Sequence, residues 1–357
     1  MYMSLCMFEI QNGGAEILLK KMLKEDNFYF LTNLLAILSC VFVCIAWQYF
    51  HTIRSTEKSS DSNLWSNLFK DDSQTENALH AENEVKADVC TSTSCVRCSR
   101  SVYSTEKLLR KWKKIKEDLK PCEDTRKKFF NAIIKSSNQV YMNDGTRNIA
   151  KKQNPTVFYL EGLPGKIWYE KTANELAEKL SILENDDFQQ IVKSEFTNVY
   201  HYFKHEWVSN EVPSGGWYLY YLYNQGVKNE ENCLRCPRVI KEIEKLEVAM
   251  LDCAFGNVVF SVLLPGTSIR LHCGPTNVRI RCHIPIIAPP GYFLMVGDVQ
   301  YTWQEGKILI FDDSFYHKVY CCDNVHEPRV VLMLDLWHPS LLLSERELVK
   351  QIFSPQK

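Results

Sequence analysis

Two histidines on separate strand-like segments are the residues of this sequence best suited to hold a metal ion. His272 lies in LHCGPTNVRIRCH, residues 271–283, and His317 lies in FYHKVY, residues 315–320. Neutral imidazole is a good ligand for Fe(II), zinc or copper. Non-haem iron sites usually add a carboxylate to two histidines. Its common position, two residues after the first histidine, is Gly274 here, so one expected ligand is missing.

The segment 278–284 alternates strictly between polar and apolar side chains, which is typical of a β-strand. The polar set is Arg279, Arg281 and His283, and the apolar set is Val278, Ile280, Cys282 and Ile284. Taken alone, this strand favours an ordinary solvent-exposed polar face. His317 and Arg329, however, share their faces with apolar residues. Burying such a group unpaired costs several kcal/mol, so the two together suggest a site.

The elements that would position these residues are short strands. Beyond residue 215, segments rich in β-branched and aromatic residues are separated by glycine and proline, a pattern typical of a β-sandwich or jelly-roll barrel. We predict strands at residues 217–223, 257–264, 278–284, 292–296, 307–311, 315–320 and 329–334. The pattern predicts a mainly β fold, a sandwich or jelly-roll barrel, with flanking helices.

Two helices are predicted before the strands. From Ser104, apolar residues recur at helical spacing up to Leu119, and Pro121 ends the pattern. A second helix begins at Thr172, where Glu175 completes a capping box, and continues through Leu183.

The N-terminal part of the chain predicts a membrane anchor. Residues 28–50 carry no charged side chain, have aromatic ends and are long enough to cross a bilayer as a helix. A buried helix of a soluble domain is the alternative, but the polar segment 51–103 offers no nearby core and is predicted to be a stalk. Slightly more basic residues precede the span than follow it, which favours a cytosolic segment 1–27 and a type II protein with its bulk in the lumen of the endoplasmic reticulum or secretory pathway.

Charge and cysteine content narrow the choice of partners. The chain has 357 residues, and 42 Lys and Arg nearly balance 43 Asp and Glu, so nothing indicates a nucleic-acid partner. Among fourteen cysteines, the pairs Cys95/Cys98 and Cys233/Cys236 are compatible with disulfides in an oxidising compartment. Their separation along the chain is too great for a compact zinc ribbon.

Three long motifs carry a resemblance to a known family. They are HCGPTNVRIRCH (272–283), GKILIFDDSFYH (306–317) and RVVLMLDLWHP (329–339). In this order they closely resemble the aspartyl/asparaginyl β-hydroxylase family, in particular its membrane-anchored members that lack the helical repeats of the full hydroxylase. The resemblance covers about residues 155–345, and residues 104–150 form a helical segment before that domain.

The resemblance implies a double-stranded β-helix (jelly roll, cupin-like) that performs Fe(II)- and 2-oxoglutarate-dependent hydroxylation with dioxygen. The family binds iron with two histidines and has glycine in the carboxylate position, which matches Gly274. His272 and His317 are then the expected iron ligands. The substrate implied is an Asp or Asn of a protein, hydroxylated at its β-carbon, with epidermal-growth-factor-like domains as the precedent.

The resemblance also implies a cosubstrate pocket. Arg329 matches the arginine that pairs with the distal carboxylate of 2-oxoglutarate, and Ser261 matches the serine that hydrogen-bonds the same group. Trp217 matches a tryptophan at the edge of the site. The segment Arg281-Cys282-His283 matches the strand that contacts the cosubstrate and the substrate acid, and Arg279 or Arg281 is expected to hold the substrate carboxylate.

Two other functions remain open at the level of sequence. One is a catalytically inactive, membrane-anchored module of the same fold that acts in binding or as a scaffold. The other is a zinc-dependent hydrolase on a cupin-like barrel, for which the sequence offers no evident third ligand. The chain also departs from the full hydroxylase at Leu263, where that enzyme has methionine, and in the close spacing of Cys233 and Cys236.

Overall fold

The computed structural model describes residues 103–137, 152–169 and 175–355. The predicted span 28–50, the flanking segments up to residue 102 and the pair Cys95/Cys98 lie outside this part. Within it, none of the helices combines the length and the apolar character that crossing a bilayer requires.

The larger of two sheets has seven strands, and every pair of neighbours is antiparallel. Numbered along the chain and given in spatial order, the strands are β1 (Val208–Asn210), β2 (Trp217–Asn224), β4 (Val258–Leu263), β11 (Arg329–Trp337), β6 (Arg279–Ile287) and β9 (Leu309–Phe311), with β3 (Val227–Lys228) paired to β2.

The smaller sheet has four strands and supplies the other half of the barrel. Their spatial order is β5 (Ile269–His272), β10 (His317–Cys321), β7 (Tyr292–Val296) and β8 (Val299–Tyr301). The last eight strands of the chain are thus divided between β4-β11-β6-β9 and β5-β10-β7-β8. This is the strand order of a double-sheet jelly roll, and the predicted mainly β, jelly-roll fold with flanking helices is confirmed.

Apolar side chains from both sheets fill the space between them. Leu263, Phe311 and Val331 come from the larger sheet, and Tyr292, Leu294 and Val319 come from the smaller one. Burying an aliphatic or aromatic side chain of this size contributes roughly 1.5–3 kcal/mol. The shared core therefore fixes the position of one sheet relative to the other, and with it the polar residues that each sheet carries.

The first predicted helix is confirmed as α1 (Thr105–Leu119), and a second helix, α2 (Glu123–Ser137), follows it directly. Leu108, Trp112 and Ile115 form the buried face of α1. The helix ends at Lys120, whose backbone is left-handed with φ 44°. The residue before a proline is sterically disfavoured in the α-region, which is the physical reason for the stop.

The second predicted helix is wrong in its extent. Thr172 lies outside the described residues; after it the chain forms a short α3 (Glu175–Lys179) and then a single 3-10 turn at Ser181–Glu184. A new helix, α4 (Asp186–Tyr202), begins because the Asn185 side chain accepts a hydrogen bond from Asp187 N at 2.8 Å as an N-cap.

Three more helices and a second 3-10 turn lie beside the barrel strands. A 3-10 turn lies at Lys204–Glu206, α5 is Glu230–Arg235, α6 is Pro237–Ile243, and α7 is Leu343–Ile352. A second apolar core joins α1, α2 and α7 to the end of the larger sheet. Trp112 and Phe129 stack with ring centroids 5.8 Å apart, and Trp337 of β11 belongs to the same cluster. The helical segment before the barrel is therefore packed against it.

Candidate active site

The two predicted metal-binding histidines are direct neighbours across two strands. His272 ends β5, His317 begins β10, and the antiparallel register of these strands pairs the two residues. Side chains of directly opposed residues lie on the same face of a sheet, and the two imidazole ring centroids are 4.1 Å apart. The structure thus brings together two predicted ligands that are far apart in sequence.

Both rings are held in the same way. His272 Nδ1 lies 2.7 Å from the carbonyl oxygen of Arg270, and His317 Nδ1 lies 2.9 Å from that of Phe315. A carbonyl oxygen can only accept, so Nδ1 carries the proton in each ring and Nε2 carries the lone pair. Anchoring one ring nitrogen in this manner is how proteins orient histidine metal ligands.

Arg329, at the start of β11, is buried and has few hydrogen-bond partners. Its Nη2 donates to Ser261 Oγ at 3.4 Å, but Nε and Nη1 have no hydrogen-bond partner among the described residues. Burial lowers the pKa of Arg329 to about 9, so the guanidinium is still charged at pH 7. A buried charge without a counter-ion is strongly unfavourable. The arrangement fits an anionic ligand, and a guanidinium can bind a carboxylate through two parallel N–H groups.

Ser261 and two tryptophans surround the Arg329 guanidinium. Trp217 Nε1 donates to Ser261 Oγ at 3.0 Å. The guanidinium carbon of Arg329 lies 4.8 Å from the centroid of the Trp303 ring. This cation–π contact stabilises the charge only in part.

Trp303 also determines the tautomer of His283. Its Nε1 donates to His283 Nδ1 at 3.0 Å. Burial, followed by the positive charge of Arg329, holds the pKa of His283 well below its usual range, so the ring is neutral. The proton must then be on Nε2, which is buried and has no partner among the described atoms. His283 consequently offers one buried N–H donor near His317, since both rings pack against Phe311.

Arg279 and Arg281 form a buried network with two aspartates. Arg279 Nη2 lies 2.5 Å from Asp313 Oδ2, and its Nη1 lies 2.9 Å from Asp335 Oδ2. Arg281 Nε lies 2.9 Å from Asp335 Oδ1, and its Nη1 lies 3.5 Å from Asp313 Oδ2. Burial alone would raise the pKa of Asp313, but the two guanidinium groups hold it below the usual range. The four charges balance one another.

Arg279 and Arg281 differ in how far their side chains are buried by this network. The Arg279 side chain is 3% exposed, its Nη1 also donates to the Phe255 carbonyl oxygen, and its Nε contacts Asp313. Arg281 is 18% exposed. The polar face of β6 is therefore turned inward rather than to solvent, and Arg281 is the better placed of the two to meet a substrate.

Gly274 has no room for a side chain. A Cβ atom added there would lie 2.4 Å from Asp313 Cγ and 2.5 Å from each carboxylate oxygen. Asp313 is held by both arginines and cannot easily move away. The position where a third ligand is usual is thus closed by a neighbouring carboxylate. Throughout the described ranges, no group of three or more His, Cys, Asp or Glu residues is placed to hold a metal ion.

Some predicted site residues lie elsewhere. Cys282 is fully buried, but strand alternation turns its side chain to the face opposite Arg281 and His283, so the structure does not bring it to them. Cys233 and Cys236 are free thiols, and burial raises the pKa of Cys233 to about 12. His338 Nδ1 accepts from Ser340 N at 3.1 Å, which is a structural role.

Three residues of the site were missed by reasoning from sequence: Trp303, Asp313 and Asp335. Asp313 follows a predicted strand and is typical of a turn. Trp303 lies outside every predicted strand, and Asp335 reads as one polar residue in an apolar strand. The signal available for Asp335 was its charge: a carboxylate amid apolar residues of a central strand needs a buried partner. Nothing in the sequence near Trp303 indicates which residue its indole nitrogen meets.

Comparison with known proteins finds one matching family and several similar proteins that carry related names. Residues 181–339 match the family described as Aspartyl/Asparaginyl beta-hydroxylase. Human aspartate beta-hydroxylase domain-containing protein 2 is 36% identical over 272 residues, covering 74% of this chain and 70% of the relative. Its counterpart from Xenopus tropicalis is 32% identical over 343 residues, covering 93% and 85%.

A solved structure shows only low structural similarity to this chain. An oxidoreductase of the 2OG-Fe(II) oxygenase family from Burkholderia pseudomallei aligns with a TM-score of 0.34 and 8% identity, covering 49% of this chain and 97% of that one. A score this low adds nothing to the fold assignment, which depends on the strand order.

Proposed function

The chain belongs to the aspartyl/asparaginyl β-hydroxylase family, and from that premise we propose that it is an Fe(II)- and 2-oxoglutarate-dependent dioxygenase that hydroxylates the β-carbon of Asp or Asn in a protein substrate. Membership supports a hydroxylase-type activity. The observation that carries the finer proposal is a directly opposed histidine pair in the same barrel as a buried guanidinium that has no counter-ion among the described residues.

His272 and His317 would hold the iron through Nε2, because Nδ1 of each ring is committed to a backbone carbonyl. Imidazole is a suitable donor for Fe(II), and the closed position at Gly274 agrees with a site that uses only two protein ligands. Bound iron supplies the redox chemistry in which dioxygen and 2-oxoglutarate give succinate, carbon dioxide and one hydroxylated C–H bond. The protein's part is positioning.

Arg329 and Ser261 would bind the distal carboxylate of 2-oxoglutarate. Nε and Nη1 of Arg329 both lack a partner among the described residues, and either can pair with the neighbouring Nη2 to bind the two carboxylate oxygens in parallel. Ser261 Oγ already accepts from Trp217, so its own proton remains available to the ligand. An anion here would neutralise the buried charge of Arg329, and this differential stabilisation is a source of cosubstrate affinity.

Arg281 would meet the acidic side chain of the substrate. It is the more exposed member of the arginine pair, while Asp335 fixes its Nε and Nη2 at 2.9 and 3.2 Å. The neutral His283 would add its Nε2–H as a donor to a carboxylate in the cavity. An Asp or Asn side chain, which presents acceptor oxygens, is compatible with such donors.

We extend the proposal to partners and location. The substrate would be a protein, with epidermal-growth-factor-like domains as one class to test. The chain would be held in the membrane by residues 28–50, with its catalytic domain in the lumen of the endoplasmic reticulum or a later secretory compartment. Protease protection of the barrel in sealed microsomes tests that orientation.

Anaerobic binding of Fe(II) and 2-oxoglutarate, followed by succinate release with Asp- or Asn-containing peptides, tests the activity. We expect His272→Ala to lose iron binding and Arg329→Ala to lose 2-oxoglutarate binding while retaining the metal. Arg238→Ala, on an exposed side chain of α6, serves as the control. Bound iron and 2-oxoglutarate without turnover on any peptide would instead support a scaffold, and stoichiometric zinc without affinity for 2-oxoglutarate would support a hydrolase.

A further inference from the structure

Residues 152–169, hereafter the strap, cross the barrel next to both histidine-bearing strands. The strap contains no helix or extended strand, only isolated bridges to the barrel. It precedes residues 181–339, the part matched by the family description. Its backbone and side chains are nevertheless bonded to the loops on which both proposed iron ligands depend.

On the His317 side, the strap binds the turn at residues 312–316. Gln153 Nε2 donates to Asp312 Oδ2 at 2.6 Å, and Gln153 forms a backbone bridge to Phe315. Asn154 N donates to Ser314 O at 2.8 Å.

On the His272 side, the strap binds the loop at residues 274–277. Thr156 N donates to Gly274 O at 3.0 Å, and Val157 N and Phe158 N both donate to Pro275 O at 2.9 Å. The two loops are also joined directly, because Gly274 N donates to Asp313 O at 2.6 Å. The strap therefore ties together the two segments that carry the imidazole pair.

Gln153 is the strap residue with the shortest route to a ligand ring. The orientation of His317 depends on the carbonyl of Phe315, which accepts from its Nδ1. Phe315 N donates to the Asp312 carbonyl oxygen at 3.3 Å, and Phe315 lies opposite Gln153 in a bridge whose hydrogen bond runs from Asn154 N to Ser314 O. Gln153 thus lies beside Phe315 and binds the Asp312 side chain.

The packing around Gln153 leaves its side chain little freedom. A methyl group added at Gly165 would lie 3.0 Å from Gln153 Cδ and 3.2 Å from the Phe315 ring, so the amide and the ring lie against the same glycine. Asp312 is itself buried, and its carboxylate also accepts from Ser314 N at 2.9 Å. Removing the Gln153 amide would take away the donor to Oδ2 and weaken the hold on Asp312.

We propose that Gln153 is a positioning residue of the iron site, which acts through Asp312 and the Phe315 carbonyl to orient the imidazole of His317. The identity of the metal rests on the proposed function, but the geometric role of Gln153 does not require turnover. Supports of this kind behind a ligand typically change metal affinity by 10–100-fold when they are removed.

Gln153→Met tests the inference, because it keeps the volume of the side chain and removes only the amide. Gln189→Met is the matched control. Gln189 lies on α4, away from the site, is also half-buried, and its side-chain amide donates one hydrogen bond, to Leu183 O at 2.5 Å. Co(II) binding to the full chain in the presence of 2-oxoglutarate is measured by calorimetry, and the visible absorption of bound Co(II) reports the ligand geometry.

We expect Co(II) to bind Gln153→Met on the order of tenfold more weakly, with an altered absorption band, while Gln189→Met resembles the wild type in both. Gln153→Leu replaces the first variant if that one fails to fold. Equal affinity and identical spectra for wild type and Gln153→Met would overturn the inference alone. No Co(II) binding by the wild type would overturn the proposed metal site and this inference with it.

Discussion

Replacing Arg329 with methionine should make the ligand-free protein more stable while it abolishes binding of 2-oxoglutarate. Burial lowers the pKa of Arg329 from its usual value to about 9. Since one pKa unit is worth about 1.4 kcal/mol, the charged form is disfavoured in the fold by roughly 5 kcal/mol. Methionine has a similar length and no charge. Allowing for the lost packing and the cation–π contact with Trp303, we expect a net gain of about 1–4 kcal/mol, the range seen when buried charges are replaced by apolar residues.

Urea unfolding of the metal-free chain measures this gain, and thermal unfolding with added 2-oxoglutarate measures binding. At a hundred times its dissociation constant a ligand stabilises a protein by about 2.7 kcal/mol, so the wild type should gain stability with Fe(II) and 2-oxoglutarate and Arg329→Met should gain none from the latter.

Arg279→Met is the matched control, because Arg279 is just as buried but fully paired with Asp313 and Asp335. Breaking a buried ion pair costs about 3–5 kcal/mol, so this variant should be destabilised. If Arg329→Met were destabilised to the same extent as Arg279→Met, Arg329 would be a structural residue and the reasoning from its missing counter-ion would be refuted.

Three further outcomes are expected. Gly274→Ala should lower the free energy of unfolding by about 1–3 kcal/mol, the usual cost of overpacking, because its Cβ would lie 2.4 Å from Asp313 Cγ; an unchanged urea midpoint would mean that Asp313 can move. A chain that starts at residue 181 should give no cooperative thermal transition, whereas one that starts at residue 103 should, since α1, α2 and the strap supply much of the second apolar core. Burial raises the pKa of Asp312 to about 7, so the stability gained from holding its proton is present at acid pH and lost as pH rises through 7. In Asp312→Asn the Gln153 amide can turn to accept a hydrogen bond. The free energy of unfolding of this variant, relative to that of the wild type, should therefore rise by up to about 4 kcal/mol between pH 4 and 8. A constant difference in urea unfolding across that range would contradict this.

Local patterns in the sequence were sufficient for most of the fold. Alternation and β-branched content identified the seven predicted strands, and each has a counterpart in the barrel, for example Tyr292–Val296 with identical bounds. Four short strands were not predicted. Of these, β5 (Ile269–His272) has both of its middle residues exposed, so it carries no alternating pattern. The start of a new helix at Asn185 was also missed. An N-cap contributes only about 1 kcal/mol, which is too little to decide from sequence whether a helix continues or begins anew.

The sequence by itself determined which chemical groups are available: two imidazoles, a glycine where a carboxylate is usual, and an arginine and a serine on apolar strands. Only the tertiary structure decided which of them meet. Register brings His272 opposite His317, and Gln153 reaches Asp312 across 159 positions of the chain. Two aspartates neutralise Arg279 and Arg281, whereas Arg329 has no counter-ion in the part of the chain that the structure describes. Periodicity describes which way neighbouring side chains point, and it contains no information about the partner that a distant segment will supply.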